Sequence, residues 1–231
     1  MSSPTMMPMS LEEIAQAVQG RLIAGTAAID TPVATSTFTD SRQIVEGSVF
    51  VAIAGERVDG HDYVSKVGAQ GAVAAIVDHE IDGAGVPQIV VEDTVLALGA
   101  LAKHNIERRR ALETPFTVIG ITGSVGKTTT KDLMKALLAH IGPTIAPVGS
   151  FNNEIGLPLT SLKVHAETRF LVAEMGANHV GEIANLTSLV PPDIAVVLKV
   201  GVAHLGEFGS PERIAQAKSE IIRGLVPGGL S

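Results

Sequence analysis

The 231 residues are enough for one large or two small domains, and 45% of them are hydrophobic, a globular rather than a disordered composition. Aromatics are only 3% and Trp is absent, so the core has to be built from Val, Ile, Leu and Ala; the lack of Cys excludes disulfides, thiolate metal sites and cysteine nucleophiles. The net charge of −7 argues against a nucleic-acid partner, no apolar run is long enough for a membrane span, and no signal peptide is evident.

Residues 1–8 read as a loose tail. Ser10 with Glu13 forms a capping box that opens a helix over 11–19. A strand follows at 49–53, then a helix at 62–71, strands at 72–77 and 88–91, and a helix from Asp93 or Thr94 to about Arg109. Arg108-Arg-Arg110 reads as a solvated helix end rather than a binding patch. Thr114-Pro115 breaks the pattern and sets a boundary between a small α/β domain, 1–112, and a second domain, 113–231. In the first domain, Thr39-Asp-Ser-Arg42 precedes strand 49–53, and Gly55-Glu-Arg-Val-Asp-Gly-His-Asp62 follows it. Both are turn-rich and charged and could line one substrate pocket.

The second domain repeats a β-then-α rhythm. Strands are expected at 116–121, 169–173 and 194–200, an extended piece at 144–147, and helices at 127–140, 180–189 and 211–226. The nearly continuous apolar strands imply a parallel sheet covered on both faces, with ligands beyond the C-terminal strand ends. At the end of the first of these strands stands Gly120-Ile-Thr-Gly-Ser-Val-Gly-Lys-Thr-Thr-Thr130. It opens a helix predicted to turn Leu133, Met134, Leu137 and Leu138 to one side. Strand, glycine loop, lysine, hydroxyl and helix together grip a nucleotide polyphosphate: backbone N–H groups turn inward, Lys127 reaches the terminal phosphates, and the Thr128 hydroxyl can reach Mg²⁺. The strict G-x-x-x-x-G-K-[ST] pattern is not met, because Ile121 stands where its first glycine would be. The candidate phosphate-binding residues are Thr122, Gly123, Ser124, Val125, Gly126, Lys127, Thr128 and Thr129.

Further polar residues fall at the same strand ends. Glu174 can bind Mg²⁺ or be an ordinary helix-start carboxylate. His204 follows the strand at 194–200 and reaches the same edge, although imidazole is a less usual ligand for a hard cation. No His-x-x-x-His or Cys pair exists, so a zinc reading fails on spacing. Asn152 and Asn153, in a glycine-bounded loop, could position phosphate oxygens or a substrate carboxylate, or simply tie the loop by Asx turns. Lys218 lies in helix 211–226; a solvated lysine is the ordinary reading, and its small and apolar neighbours hint at partial burial without deciding it.

In order along the chain these pieces resemble the Mur ligase family of bacterial cell-wall enzymes. The resemblance covers nearly the whole chain, through Thr39-Asp-Ser-Arg42, Phe50-Val-Ala-Ile-Ala-Gly55 with Asp59-Gly-His61, and Thr122-Gly-Ser-Val-Gly-Lys-Thr-Thr129. It continues through Phe151-Asn-Asn-Glu-Ile-Gly156, Glu174-Met-Gly176, Gly201-Val-Ala-His-Leu-Gly206 and Ala217-Lys-Ser-Glu220. The Asn-Asn-Glu-Ile-Gly and His-Leu-Gly-x-Phe-Gly pieces favour the members that add D-alanyl-D-alanine to UDP-N-acetylmuramoyl-tripeptide. The family loop is shaped by T-G-x-x-G-K-T, so Ile121 is no defect.

The resemblance implies an α/β chain: a small N-terminal UDP-binding domain, then a partial P-loop ATPase domain with a mostly parallel sheet. It implies ATP and Mg²⁺ as cofactors and an acyl-phosphate intermediate attacked by the incoming amine. By resemblance Lys127 contacts the terminal phosphates, while Thr128, Glu174 and His204 hold metal. Lys218 matches a lysine often carbamylated in the family. Ser41, Arg42 and His61 fall in the UDP-binding domain. A cytoplasmic monomer with no nucleic-acid partner and no membrane span is expected. Family members continue beyond the helix carrying Lys218, so an N-terminal piece of a ligase, inactive alone, is expected. A different P-loop ATPase or small-molecule kinase, and a non-catalytic nucleotide-sugar-binding module, are the competing classes.

Overall fold

A computed structural model describes residues 6–23, 34–201 and 205–231. The chain divides into two compact units, Met1–Asn105 and Ile106–Ser231, with the division inside a long helix. No helix among the described residues is long and apolar enough to cross a membrane.

The first unit opens with helix α1 (Leu11–Ala17), where the Ser10 hydroxyl accepts from the Glu13 amide as the capping box requires. Strands β1 (Arg21–Ile23), β2 (Ser36–Phe38), β3 (Ser48–Val51), β4 (Ala72–Val77) and β5 (Gln88–Val90) form one sheet in the order β1-β5-β4-β3-β2. Only β1 runs antiparallel to its neighbour; the other pairings are parallel. Both faces of the sheet are covered: Phe50, Ala75 and Val77 pack with Val64 and Val67, while Val49, Val51, Ala74 and Ile76 are buried on the alternate positions. The helix expected over 62–71 is broken. A 3₁₀ turn (Gly60–Tyr63) leads into the single α-turn α2 (Val64–Val67), and a second 3₁₀ turn (Gly68–Gln70) ends at Gly71.

Helix α3 (Thr94–Arg110) leads into the second unit. Its end is not a solvated arginine run. Arg109 is buried and donates to the carbonyls of Thr168, Pro115 and Thr114, and Arg110 makes a two-pronged pair with Asp193. The expectation failed because main-chain carbonyls brought near by folding leave no charge pattern in the sequence.

Strands β6 (Thr117–Thr122), β7 (Thr144–Ile145), β8 (Phe170–Glu174) and β9 (Ile194–Val197) form an all-parallel sheet ordered β7-β8-β6-β9. Helix α4 (Lys127–Leu138) covers one face, where Met134 and Leu138 pack on Ile119, Ile121 and Val172. The opposite face carries Val118, Leu171 and Ala173. These pack in one cluster with residues of α5 (Gly156–Ser161), α6 (Glu182–Leu189), α7 (Leu205–Phe208) and α8 (Pro211–Arg223). The apolar stripe of α4 differs from the expected one. Lys131, Met134 and Leu138 face the sheet, whereas Leu133 and Leu137 are 61% and 68% exposed.

Candidate active site

The glycine loop leaves β6 at the centre of the parallel sheet, and Glu174 is the last residue of neighbouring β8, paired in register with Ile121. Parallel pairing therefore delivers both to the same C-terminal edge, where open α/β sheets bind ligands. Gly126 is the residue before α4 and has φ of 87°, a left-handed conformation that any other common residue would adopt with strain. The Ser124 hydroxyl accepts from the Gly201 amide at 3.0 Å, tying the loop to the segment after β9. Gly123 is buried, whereas Val125, Gly126 and Thr129 are exposed.

The Lys127 ammonium donates to the Gly123 carbonyl at 2.9 Å, folded back across its own loop. Thr128 Oγ1 lies 3.2 Å from Glu174 Oε2 and 3.2 Å from Ser150 Oγ, and Asn152 Nδ2 donates to Glu174 Oε1 at 2.9 Å. Glu174 is buried, and its carboxylate oxygens accept from two side-chain donors, Thr128 and Asn152. A hydroxyl pair and a carboxylate at this spacing form an all-oxygen set suited to a hard divalent cation. Thr122 Oγ1, at the base of the loop, is buried without a hydrogen-bond partner, so a polar atom at the cradle still has capacity to spare. A Mg²⁺–nucleotide complex fits these residues.

Asn152 is held close by Gly176, where an added Cβ would sit 2.7 Å from Asn152 Oδ1. The Asn153 side chain is turned elsewhere, and its oxygen accepts from the Gly156 amide and supports the first turn of α5. Lys218, only 2% exposed, is not a solvated lysine. Its ammonium donates to the Ala177 carbonyl at 3.2 Å and lies over the Phe208 ring. Burial, and then the positive charge of Lys127, lower its pKa to about 8, against the opposing pull of Glu182 and Glu220. His204 lies outside the described residues.

Sequence reasoning missed two residues that build this edge. Lys131 is buried and donates to the carbonyls of Pro147 and Gly149, which fixes the chain just ahead of Ser150 and Asn152. Glu220, also buried, accepts from the amides of Gly181 and Ala184 and caps α6. The spacing of Lys131 four residues after Lys127, on the face that also carries Met134, was the one available signal for its burial.

A second cleft, of about 450 Å³, is built wholly within the first unit and is lined by Ser41, Arg42, Phe50, Ile53, Gly60 and Tyr63. The two turn-rich segments singled out in the sequence do share it. Each is shaped the same way, by an aspartate ahead of a 3₁₀ turn: Asp40 accepts from the Arg42 amide and Asp59 from the His61 amide. The Arg42 guanidinium also grips Asp40 through two bonds, and with the Arg42 amide holds that carboxyl down at about 2. His61 does not line the cleft; its buried ring points away, between Asp59 and Asp78.

A parallel α/β sheet with a glycine loop, a lysine, a hydroxyl and a carboxylate converging at its C-terminal edge defines the class, a phosphate-loop fold. The particular family follows from comparison. Residues 121–231 match the Mur ligase middle domain and residues 35–106 match the Mur ligase family catalytic domain, and the chain belongs to the Mur ligase family. The UDP-N-acetylmuramoyl-tripeptide--D-alanyl-D-alanine ligase of Mycobacterium bovis is 43% identical over 237 residues, covering 94% of this chain and 46% of the relative. The Escherichia coli protein of the same name is 38% identical, covering 98% and 48%. Among solved structures, MurF from Acinetobacter baumannii superposes with a TM-score of 0.85 at 40% identity, covering 97% of this chain and 48% of that one. The MurF ligase of Thermotoga maritima, solved with ADP, gives 0.71 at 39% identity over 82% of this chain and 43% of its own. The chain thus spans about half the length of the relatives it matches.

Proposed function

We propose that the chain carries the polyphosphate cradle and the UDP-linked substrate cleft of an ATP-dependent ligase that joins D-alanyl-D-alanine to UDP-N-acetylmuramoyl-tripeptide. The observation that carries the reading is the convergence of Lys127, Thr128, Asn152 and Glu174 at one sheet edge, with buried Lys218 beside Ala177. The names and the ADP complex of the relatives supply the substrate class.

The chemistry required explains the residues. A carboxylate is a poor electrophile; transfer of the terminal phosphoryl group of ATP to its oxygen, with ADP leaving, gives an acyl phosphate. The amine then attacks the carbonyl carbon and phosphate departs. Two anions have to be brought together, so catalysis rests on charge neutralisation and positioning. Lys127 exchanges the Gly123 carbonyl for the terminal phosphates. The loop from Thr122 to Thr129 turns its amides toward the polyphosphate. Thr128 and Glu174, with His204, would hold Mg²⁺, which would supply shielding of the developing charge. Asn152 orients Glu174 and can release its amide to the ligand. Asn153 shapes the same loop from behind. Lys218 is suited to carbamylation, because its lowered pKa makes the neutral amine available near neutrality and the product is an anionic oxygen donor for a hard cation. Ser41 and Arg42 contact the UDP-linked substrate, and His61 supports that cleft from beneath. A cytoplasmic monomer accords with this role.

The test is calorimetry on the 231-residue chain. Wild type should bind Mg·ATP and UDP-N-acetylmuramoyl-tripeptide, and Lys127→Ala should weaken Mg·ATP about tenfold or more while leaving the second ligand and thermal unfolding nearly unchanged. Equal Mg·ATP affinity in the two proteins would sink the assignment of Lys127.

A further inference from the structure

Strands β3 and β4 are parallel neighbours, so the turn after one and the residues after the other meet at a common edge. That edge brings His61 beside Asp78 and His79, which no sequence spacing links. His61 Nε2 lies 3.2 Å from Asp78 Oδ1, and the same oxygen touches His79 Nδ1. One donor atom from each residue falls within 4.8 Å of the others, and the two imidazole rings stack with centroids 4.8 Å apart.

Within this cluster His61 is already oriented as metal-bound imidazoles are. Asp59 Oδ1 sits 2.6 Å from its Nδ1, and the Asp78 amide donates to its Nε2 at 3.2 Å. The Asp59 carboxylate behind Nδ1 favours the tautomer with its proton on Nδ1, which leaves the Nε2 lone pair on the side where the Asp78 amide and carboxylate approach. A carboxylate behind a histidine in this way fixes the ring and raises its basicity toward a metal. The His61 side chain is only 5% exposed, whereas Asp78 and His79 are 39% and 64% exposed. One ligand is therefore anchored, and the two exposed ones have room to rearrange around an ion.

We propose that His61 Nε2, an Asp78 carboxylate oxygen and His79 Nδ1 form a binding site for one late first-row divalent cation of the Zn²⁺ class, with water in the remaining position. Two imidazoles and one carboxylate match the three-ligand sets that zinc accepts, and imidazole disfavours Mg²⁺ and Ca²⁺. The ion displaces the weak amide bond to Nε2, while Asp59 and Asp78 together offset its charge. The site lies outside the cleft of the first unit, yet His61 stands between Gly60 and Tyr63, two residues of that cleft's wall. A bound ion would tie this wall to the end of β4. The site is separate from the glycine-loop edge and does not depend on the ligase reading.

The experiment is titration of the 231-residue chain with ZnCl₂ by calorimetry, and with CoCl₂ by visible absorption, in a buffer containing millimolar Mg²⁺. One saturable equivalent and an intense visible cobalt band are expected. His79→Ala and Asp78→Asn, both at exposed positions, should each weaken that equivalent about tenfold or more and remove the band, and Asp59→Asn should weaken it roughly 10–100-fold. Circular dichroism and thermal unfolding of the variants check that the first unit remains folded. Lack of a saturable equivalent in wild type, or the same affinity and spectrum in His79→Ala, would overturn the site.

Discussion

A buried ammonium next to another ammonium is an expensive arrangement, and Lys218 is in that position. Its pKa falls from 10.5 to about 8 in the folded chain, so between those values the unfolded chain holds a proton that the native chain has lost. Stability contributed through this group therefore rises with pH across that window, and the full cost is present below about 8. The expected outcome is that wild type gains stability relative to Lys218→Met as pH is raised from 8 to 10, by about 1–3 kcal/mol. Denaturant curves for the two proteins at three pH values check this; parallel pH profiles would show that the lysine titrates as if exposed. At this scale the sequence was legible wherever a residue's position is set by local spacing. Lys127, Thr128 and Glu174 stand at fixed distances from strand ends, and pattern alone brought them to one edge. Lys131, Glu220 and Arg109 were illegible, because their partners are main-chain groups of segments far along the chain. The His61, Asp78 and His79 cluster was hidden for the same reason: its spacing means nothing until β3 and β4 pair.

Among the elements, α4 does more than present the phosphate loop. Its buried Lys131 reaches the Pro147 and Gly149 carbonyls, and so couples the helix to the strand-to-α5 connection that carries Ser150 and Asn152. Replacing it leaves those two carbonyls without their charged donor. Lys131→Met is expected to destabilise the chain by about 1–3 kcal/mol, the range for hydrogen bonds to charged groups, and to speed amide hydrogen exchange over residues 147–153 selectively. Unchanged exchange in that segment would show that the loop is held by something else. Strong periodicity made β4 and α3 readable almost to the residue. Reading failed where local sequence is overruled. The apolar run from 194 ends as a strand at Val197, because its partner β6 ends at Thr122 and turns into the glycine loop. The stretch 62–71 kept a helical pattern, yet Gly71 at φ of 109° stops it and the Asp59 cap starts it as a 3₁₀ turn. On α4 four apolar residues invited one stripe, but the sheet selects the phase containing Lys131 and leaves Leu133 and Leu137 out.

For the whole molecule the telling quantity is coverage. The relatives are about twice as long as the stretch they share with these 231 residues, while both the glycine-loop edge and the cleft of the first unit are built from residues present here. Binding and turnover make different demands. Binding would draw on the glycine-loop edge and on the cleft of the first unit. Turnover also needs an acyl phosphate shielded from water and an amine held in line with its carbonyl, and misplacement by about 1 Å can cost on the order of 100-fold in rate. Expressed as these 231 residues, the chain is expected to bind Mg·ATP and the UDP-linked tripeptide yet release phosphate in response to D-alanyl-D-alanine at no more than about a hundredth of ordinary enzyme rates. The measurement is phosphate release with and without D-alanyl-D-alanine, alongside calorimetry for both ligands on the same preparation. Turnover of about 1 per second or faster would mean that these residues alone close the site, and would refute the separation of binding from catalysis. Failure of both ligands to bind would instead strike at the ligase reading itself, so the two measurements distinguish a site that is complete for binding from one that has been misread.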